Sequence, residues 1–231
     1  MFNLTAKIKN HLPALKYKKL SYSQTGEDLI IRFIFDAIGI AKPSFIDIGA
    51  HHPFYLNNTA ILSKSGSKGI NIEPDPYLFS QFKRYRKNDI NLNIGVGDKN
   101  EMIDFYIMNV KTLNTFSKQE ADKYKEEGNY FIEKTIKVPT KTIQTILDDL
   151  GIIDFPHFLN IDAEGVDELI MNTIDFDSSY PIVICIETIS FSNKKRGVKN
   201  NDLINLLTSK GYILFADTYI NSILVHSNFW K

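Results

Sequence analysis

The chain has one cysteine, Cys185, so no internal disulfide can form, and a reducing, cytoplasmic setting is expected. Cys185 stands in the apolar run PIVICIE, where a small buried hydrophobe is a better reading than a nucleophile. No stretch approaches the roughly 18 consecutive apolar residues that a membrane span requires. Lys plus Arg and Asp plus Glu both number 27, so the formal net charge is zero. Nothing therefore draws the chain as a whole onto nucleic acid or an anionic membrane. No H-x-x-x-H or C-x-x-C spacing is present, which argues against a structural zinc site. Internal repeats, low-complexity tracts and Pro/Gly/Ser-rich linkers are missing as well. That leaves a basic arm over residues 1–20 and a single domain over 21–231. The arm has neither the continuous apolar core nor the small-residue cleavage site of a secretory signal.

What is present is an alternation of strands and helices. Residues 27–38 have helical apolar spacing, 44–48 form a short apolar strand, 57–66 a helix, 69–73 a strand, 76–87 a helix and 90–96 a third strand. This β-α-β-α-β order implies a parallel sheet. Residues 101–108 read as an extra strand. The segment 111–130 is polar and mixed, and a stretch of that kind inside a compact domain is commonly a functional loop or lid, here an insertion near 109–134. Residues 135–140 read as extended and 141–152 as helical. The alternation resumes with a strand at 157–162, a helix at 165–173, a β-branched strand at 181–187 and a helix at 201–212. Residues 212–217 and 222–227 lie too close together for a crossover helix, so they must pair as an antiparallel hairpin. The fold class is α/β, with a mostly parallel seven-stranded sheet ending in that hairpin. In this ending it resembles the Rossmann-like class I methyltransferases rather than a nicotinamide-binding domain.

Chemistry-bearing residues cluster at predicted strand ends, where open α/β sheets bind ligands. In FIDIGAHHP (45–53), Asp47 ends a strand and Gly49 lets the backbone approach a ligand closely. Ala50, His51, His52 and Pro53 stand where the further glycines of G-x-G-x-x-G would be, which argues against a pyrophosphate on the helix N-terminus. In NIEPDP (71–76), Glu73 ends the second strand, beside Pro74, and can accept from two ribose hydroxyls. Asp98, in NIGVGD (93–98), can meet an adenine amino group or simply cap a turn. In LNIDAEG (159–165), Asn160, Asp162 and Glu164 alternate at and beyond a strand end, with Glu187 closing the next strand on the same rim. Asp162 and Glu164 suit a general base, a hydroxyl-orienting group or oxygen ligands for a divalent metal. His51 or His52 can serve as a base or shape the loop.

Taken together, SQTGED (23–28), FIDIGAHHP, NIEPDP, NIGVGD and LNIDAEG, in that order, resemble the FkbM-type methyltransferase family. The resemblance implies an S-adenosylmethionine-dependent O-methyltransferase acting on a hydroxyl of a sugar, a nucleotide-sugar or a small metabolite, with surface polysaccharide biosynthesis as the favoured setting. It places Gln24, Glu27, Asp47, Gly49, Ala50, Glu73, Pro74 and Asp98 around the cofactor. It places Asp162, Glu164 and Glu187 at the methyl-transfer centre, with His52 or one of these carboxylates as base. A Mg²⁺-assisted version is an alternative that ranks below metal-free chemistry. A nicotinamide oxidoreductase and a non-catalytic adenosine-ligand module are the competing readings. The expected partner is a small-molecule or saccharide acceptor, with no nucleic acid and no transmembrane segment; a homodimer is possible.

Overall fold

The computed structural model describes residues 13–163, 165–189 and 197–231. After a helical turn α1 (Pro13–Lys16) come α2 (Glu27–Ala37), β1 (Phe45–Ile48), α3 (Ala60–Lys64), β2 (Gly69–Ile72), α4 (Pro76–Tyr85) and β3 (Ile90–Leu92). The middle holds β4 (Gly95–Val96), β5 (Glu101–Met108), a 3₁₀ turn at Lys111–Leu113, α5 (Lys118–Glu126) and β6 (Ile132–Lys141). The chain then runs through α6 (Ile143–Asp149), β7 (Phe158–Ile161), α7 (Asp167–Met171), β8 (Val183–Glu187), α8 (Asn201–Ser209), β9 (Tyr212–Asp217) and β10 (Asn221–His226).

The main sheet has seven strands in the order β3-β2-β1-β7-β8-β10-β9. Its first five strands pair in parallel, and β10 runs antiparallel to both β8 and β9. The apolar run of each central strand is explained by burial on both faces. One face packs Ile46, Ile72, Leu159 and Ile184 beneath Leu203 and Leu207 of α8. The other packs Phe45, Phe158 and Val183 beneath Ile31, Ile34 and Phe35 of α2, whose spacing makes one helical stripe.

Within that second face runs a polar row. Asn91, Asn71, Asp47, Asn160 and Cys185 occupy one register line across β3, β2, β1, β7 and β8. Such a row persists in an apolar layer only if its members satisfy one another, and they do. Asn160 Nδ2 donates to Asp47 Oδ1 at 2.8 Å, and Asn71 Nδ2 donates to Asn91 Oδ1 at 2.9 Å. Cys185 is fully buried in this layer.

The third predicted strand, 90–96, is broken. Asn93 turns the chain by donating to the carbonyls of Glu73 and Pro74 at 2.8 and 2.9 Å. Gly95 and Val96 then leave the main sheet to pair in parallel with Thr140 and Lys141. A second sheet results, ordered β4-β6-β5, whose core is the long antiparallel pair β5–β6. The polar segment after β5 is structured: Ser117 caps α5, and Ala121 and Tyr124 pack on Met108 and Leu113. No described helix is long and apolar enough to cross a membrane.

Candidate active site

A cavity of about 670 Å³ opens at the carboxyl ends of β1, β2, β7 and β8, a size within the range of small-molecule sites. Its floor is the turn after β1. Gly49 and Ala50 donate their N–H groups to the Ile72 carbonyl, both at 3.1 Å, which ties the turn to β2. On the other side, Asp162 N donates to Ile48 O at 3.1 Å, so the ends of β1 and β7 converge. A Cβ added to Gly49, whose φ is +68°, would lie 1.8 Å from the Asp162 carbonyl oxygen. Glycine is therefore required there both for its left-handed backbone and for the close approach of two chains.

Glu73 is buried at one end of this floor. Its carboxylate accepts from His51 N at 2.7 Å and Asp75 N at 2.8 Å. Burial outweighs these two donors, and with the nearby charges of Asp75 and Asp47 it raises the Glu73 pKa to about 8. Asp47 is fully buried beneath the floor. Thr59 Oγ1 donates to it at 2.7 Å and Asn57 Nδ2 at 3.1 Å. Desolvation raises its pKa, against these hydrogen bonds and the charge of Arg86.

At the other end stands Asp162. Its carboxylate faces the cavity and is open to water there, while the surrounding protein desolvates it. That desolvation, together with the charges of Asp167 and Asp47, raises its pKa toward neutrality, and a side-chain hydrogen bond with Glu187 opposes the rise. Asp167 is buried behind, accepting from Ala163 N at 2.8 Å. The opposite wall is apolar: Leu78, Ile94, Val96, Phe105 and Phe116 meet there, with Lys111 to Asn114 above them. The polar segment expected to form a functional loop or lid contributes Lys111 to Asn114 and Phe116 to the lining.

Of the residues expected at the cofactor, Gln24, Asp47, Gly49, Ala50, Glu73 and Pro74 line the cavity. Glu27 and Asp98 are not among its lining residues. Glu27 is buried behind the wall, where it binds Thr25, Thr218 and Asn221 and so ties the segment before α2 to the terminal hairpin. Asp98 follows the strand diverted into the second sheet; its side chain is 39% exposed and 4.0 Å from Lys99. His52 also fails to reach the cavity. Its Nδ1 accepts from Phe54 N at 3.2 Å and Tyr55 N at 3.0 Å, which makes it a loop brace. It is His51 that lines the cavity, with φ of 54° and a buried Nδ1 that has no hydrogen-bond partner. Burial lowers its pKa, so the ring is neutral at pH 7. Asp162 and Glu187 do come together, and Glu164 lies outside the described residues.

Reading along the sequence missed Asn57, Asn58 and Thr59, which it assigned to a helix start. All three face the polar row: Asn58 Nδ2 donates to Asn160 Oδ1 at 2.8 Å. It also missed Arg86, read as a helix-end charge and in fact 3% exposed.

The cavity has an apolar side and a polar side, and His51 is part of its lining. Among described residues no group of three or more His, Cys, Asp or Glu side chains is placed to hold a metal ion.

No curated protein matches the chain significantly. Among solved structures, a TehB-like SAM-dependent methyltransferase from Corynebacterium glutamicum is similar, at 13% identity over 96% of this chain and 96% of its own, with a TM-score of 0.42. A precorrin-6y C5,15-methyltransferase from Geobacter metallireducens is similar at 10% identity over 86% of this chain and 87% of its own, with a TM-score of 0.44. The model of the methyltransferase FkbM domain matches residues 47–214, from the aspartate under the cavity floor to the edge strand of the main sheet. The chain therefore belongs to the FkbM methyltransferase family, with S-adenosylmethionine as its cofactor.

Proposed function

We propose that the chain is an O-methyltransferase that modifies a hydroxyl of a sugar or nucleotide-sugar during surface polysaccharide assembly, within one domain spanning 21–231. The observation that carries O-methylation is the hydrogen-bonded pair Asp162–Glu187 on the cavity rim. When bound, adenosylmethionine supplies an activated methyl group for in-line displacement, so the chain has only to align a nucleophile and take its proton. A hydroxyl is too weakly acidic to react unaided at neutral pH. Asp162 offers the carboxylate that accepts its proton, and Glu187, hydrogen-bonded to it, holds that carboxylate in place on the rim. A base whose pKa is raised toward neutrality suits that step better than an ordinary carboxylate. Gln24, Asp47, Gly49, Ala50, Glu73 and Pro74 are then the cofactor side of the cavity. The saccharide class follows the family resemblance, and the 111–116 wall is the surface that would select it.

The decisive variant is Asp162→Asn, which keeps shape and removes the base. Turnover against a panel of sugar and nucleotide-sugar acceptors should fall about 10²- to 10⁴-fold, the usual worth of general-base catalysis. S-adenosylhomocysteine binding, followed by calorimetry, should stay within a few-fold of wild type. Full activity in Asp162→Asn would remove the assignment. A thermal-shift comparison of S-adenosylhomocysteine with NADH separates this reading from a nicotinamide oxidoreductase.

A further inference from the structure

Beneath the cavity floor lies a buried cation that touches neither the cavity nor bulk water. Arg86 follows α4 and is 3% exposed. Its guanidinium has five N–H donors, and the structure offers each an acceptor. Nε donates to Asp89 Oδ2 at 2.7 Å, and Nη2 donates to Thr59 Oγ1 at 3.2 Å and Asn71 Oδ1 at 3.4 Å. Nη1 donates to the Pro53 carbonyl at 3.3 Å and to Asn57 Oδ1 at 3.5 Å. The rings of Phe45 and Phe82 lie 5.5 and 5.8 Å from its Cζ.

Three of these acceptors, Pro53, Asn57 and Thr59, belong to the segment that follows Gly49. The same segment supplies His51, Leu56, Asn57 and Asn58 to the cavity wall. Thr59 passes the contact on, because its hydroxyl accepts from Arg86 and donates to Asp47 Oδ2 at 2.7 Å. Asn57 does the same by a second route, donating to Asp47 Oδ2 and to the Ala50 carbonyl, both at 3.1 Å. The segment contains two non-glycine residues in the left-handed region, His51 and Leu56, with φ of 54° and 52°. Backbone in that region persists only when its surroundings hold it there.

We propose that Arg86 is the positioning residue of the cofactor loop. It fixes the loop at Pro53, Asn57 and Thr59 and sets Asp47 through the Thr59 hydroxyl, so that the cavity floor is ready-shaped before a ligand arrives. A lysine cannot take its place, since an ammonium has three donors and no planar fork. Asp47 is the group that most needs this help: burial raises its pKa, and the Arg86 charge is one of the influences that lower it. The inference rests on the reading of this cavity as the adenosylmethionine site.

The test uses the full chain and S-adenosylhomocysteine, with Kd from calorimetry and Tm from thermal melting, for wild type, Arg86→Lys, Thr59→Val and the double variant. Arg86→Lys should weaken binding about tenfold, the scale of one good hydrogen bond, Thr59→Val should weaken it by no more than that, and the double variant should be no weaker than Arg86→Lys, because the Thr59 route is one of those that begin at Arg86. Ser63→Ala is the control. Ser63 Oγ donates at 3.2 Å to Asp89 Oδ2, the oxygen that also accepts from Arg86 Nε, and to no side chain of the segment after Gly49, so its loss should lower Tm without changing Kd. Arg86→Lys that folds and binds as wild type overturns the proposal, as does a Kd that tracks Tm across all variants, Ser63→Ala included. If Arg86→Lys fails to fold, unchanged binding in Thr59→Val overturns it. Wild-type protein that does not bind S-adenosylhomocysteine overturns the cavity reading itself, and the proposal with it.

Discussion

Replacing Gly49 with alanine tests the geometry on which the site depends. The added Cβ would stand 1.8 Å from the Asp162 carbonyl oxygen and 2.9 Å from its carbon, both backbone atoms that no rotamer change can move aside. Relief requires the ends of β1 and β7 to part by more than an ångström, which breaks the Asp162 N to Ile48 O bond of 3.1 Å. The φ of +68° adds a conformational cost of about 1–2 kcal/mol for a residue with a side chain. Overpacking against a fixed neighbour adds about 1–3 kcal/mol. Together these give about 2–5 kcal/mol, or a fall in Tm of about 4–20 °C at the 2–4 °C per kcal/mol expected for a domain of this size. Gly39→Ala supplies the comparison. Its φ is +79° but nothing lies within 4 Å of an added Cβ, so only the conformational cost applies. Thermal melting of both variants decides the matter. If Gly49→Ala is no less stable than Gly39→Ala, the close approach of the two strand ends is not what makes glycine necessary.

Four further outcomes follow from the same geometry. Hydrogen bonds from Thr25 and Thr218 overcome burial to hold the Glu27 pKa at about 2, against an ordinary 4.5, a difference of about 3 kcal/mol. That stability is present above pH 4.5 and is lost as pH falls toward 2, so Glu27→Gln should melt lower than wild type at pH 7 and the gap should close in acid. Glu73 behaves oppositely: with its pKa raised to about 8, the folded state holds a proton that the unfolded state has released above pH 4.5. Its contribution is therefore full in acid and lost as pH rises through 8, and Glu73→Gln should show a flatter fall of Tm between pH 5 and pH 9. Turnover should rise with pH through the raised pKa of Asp162, a limb that Asp162→Asn should abolish. Methyl transfer and S-adenosylhomocysteine binding should survive excess EDTA, and loss of either would restore the metal-assisted alternative.

What was legible in the sequence shares a physical feature: it is local. Gly49, Glu73, Asp162 and Glu187 each follow a run of apolar residues, and a strand end in a parallel sheet is a ligand position whatever lies elsewhere in the chain; Asp47, expected to end its strand, lies inside β1 with Ile48 after it. The terminal hairpin was legible because a short gap leaves no other connection. The misreadings depend on distant partners. Asp98 could meet an adenine or cap a turn while residues 90–96 look like one strand, but Gly95 and Val96 obey Thr140 and Lys141, a pairing invisible within any window around them. Arg86 looked like an ordinary basic helix end; its burial is decided by Asn57, Thr59 and Asn71, which reach it from other elements. The histidines show the same division at the smallest scale. His51 and His52 are adjacent and chemically identical, and no pattern separates them. A backbone φ of 54° at His51 and the N–H groups of Phe54 and Tyr55 around the His52 ring turn one toward the cavity and commit the other to the loop. If that division governs function, His51→Ala should weaken S-adenosylhomocysteine binding and leave Tm within a few degrees. His52→Ala, which unpins two backbone donors worth about 1 kcal/mol each, should lower Tm by several degrees and change affinity only through the loop it braces. The reverse pattern would mean that His52, not His51, meets the ligand.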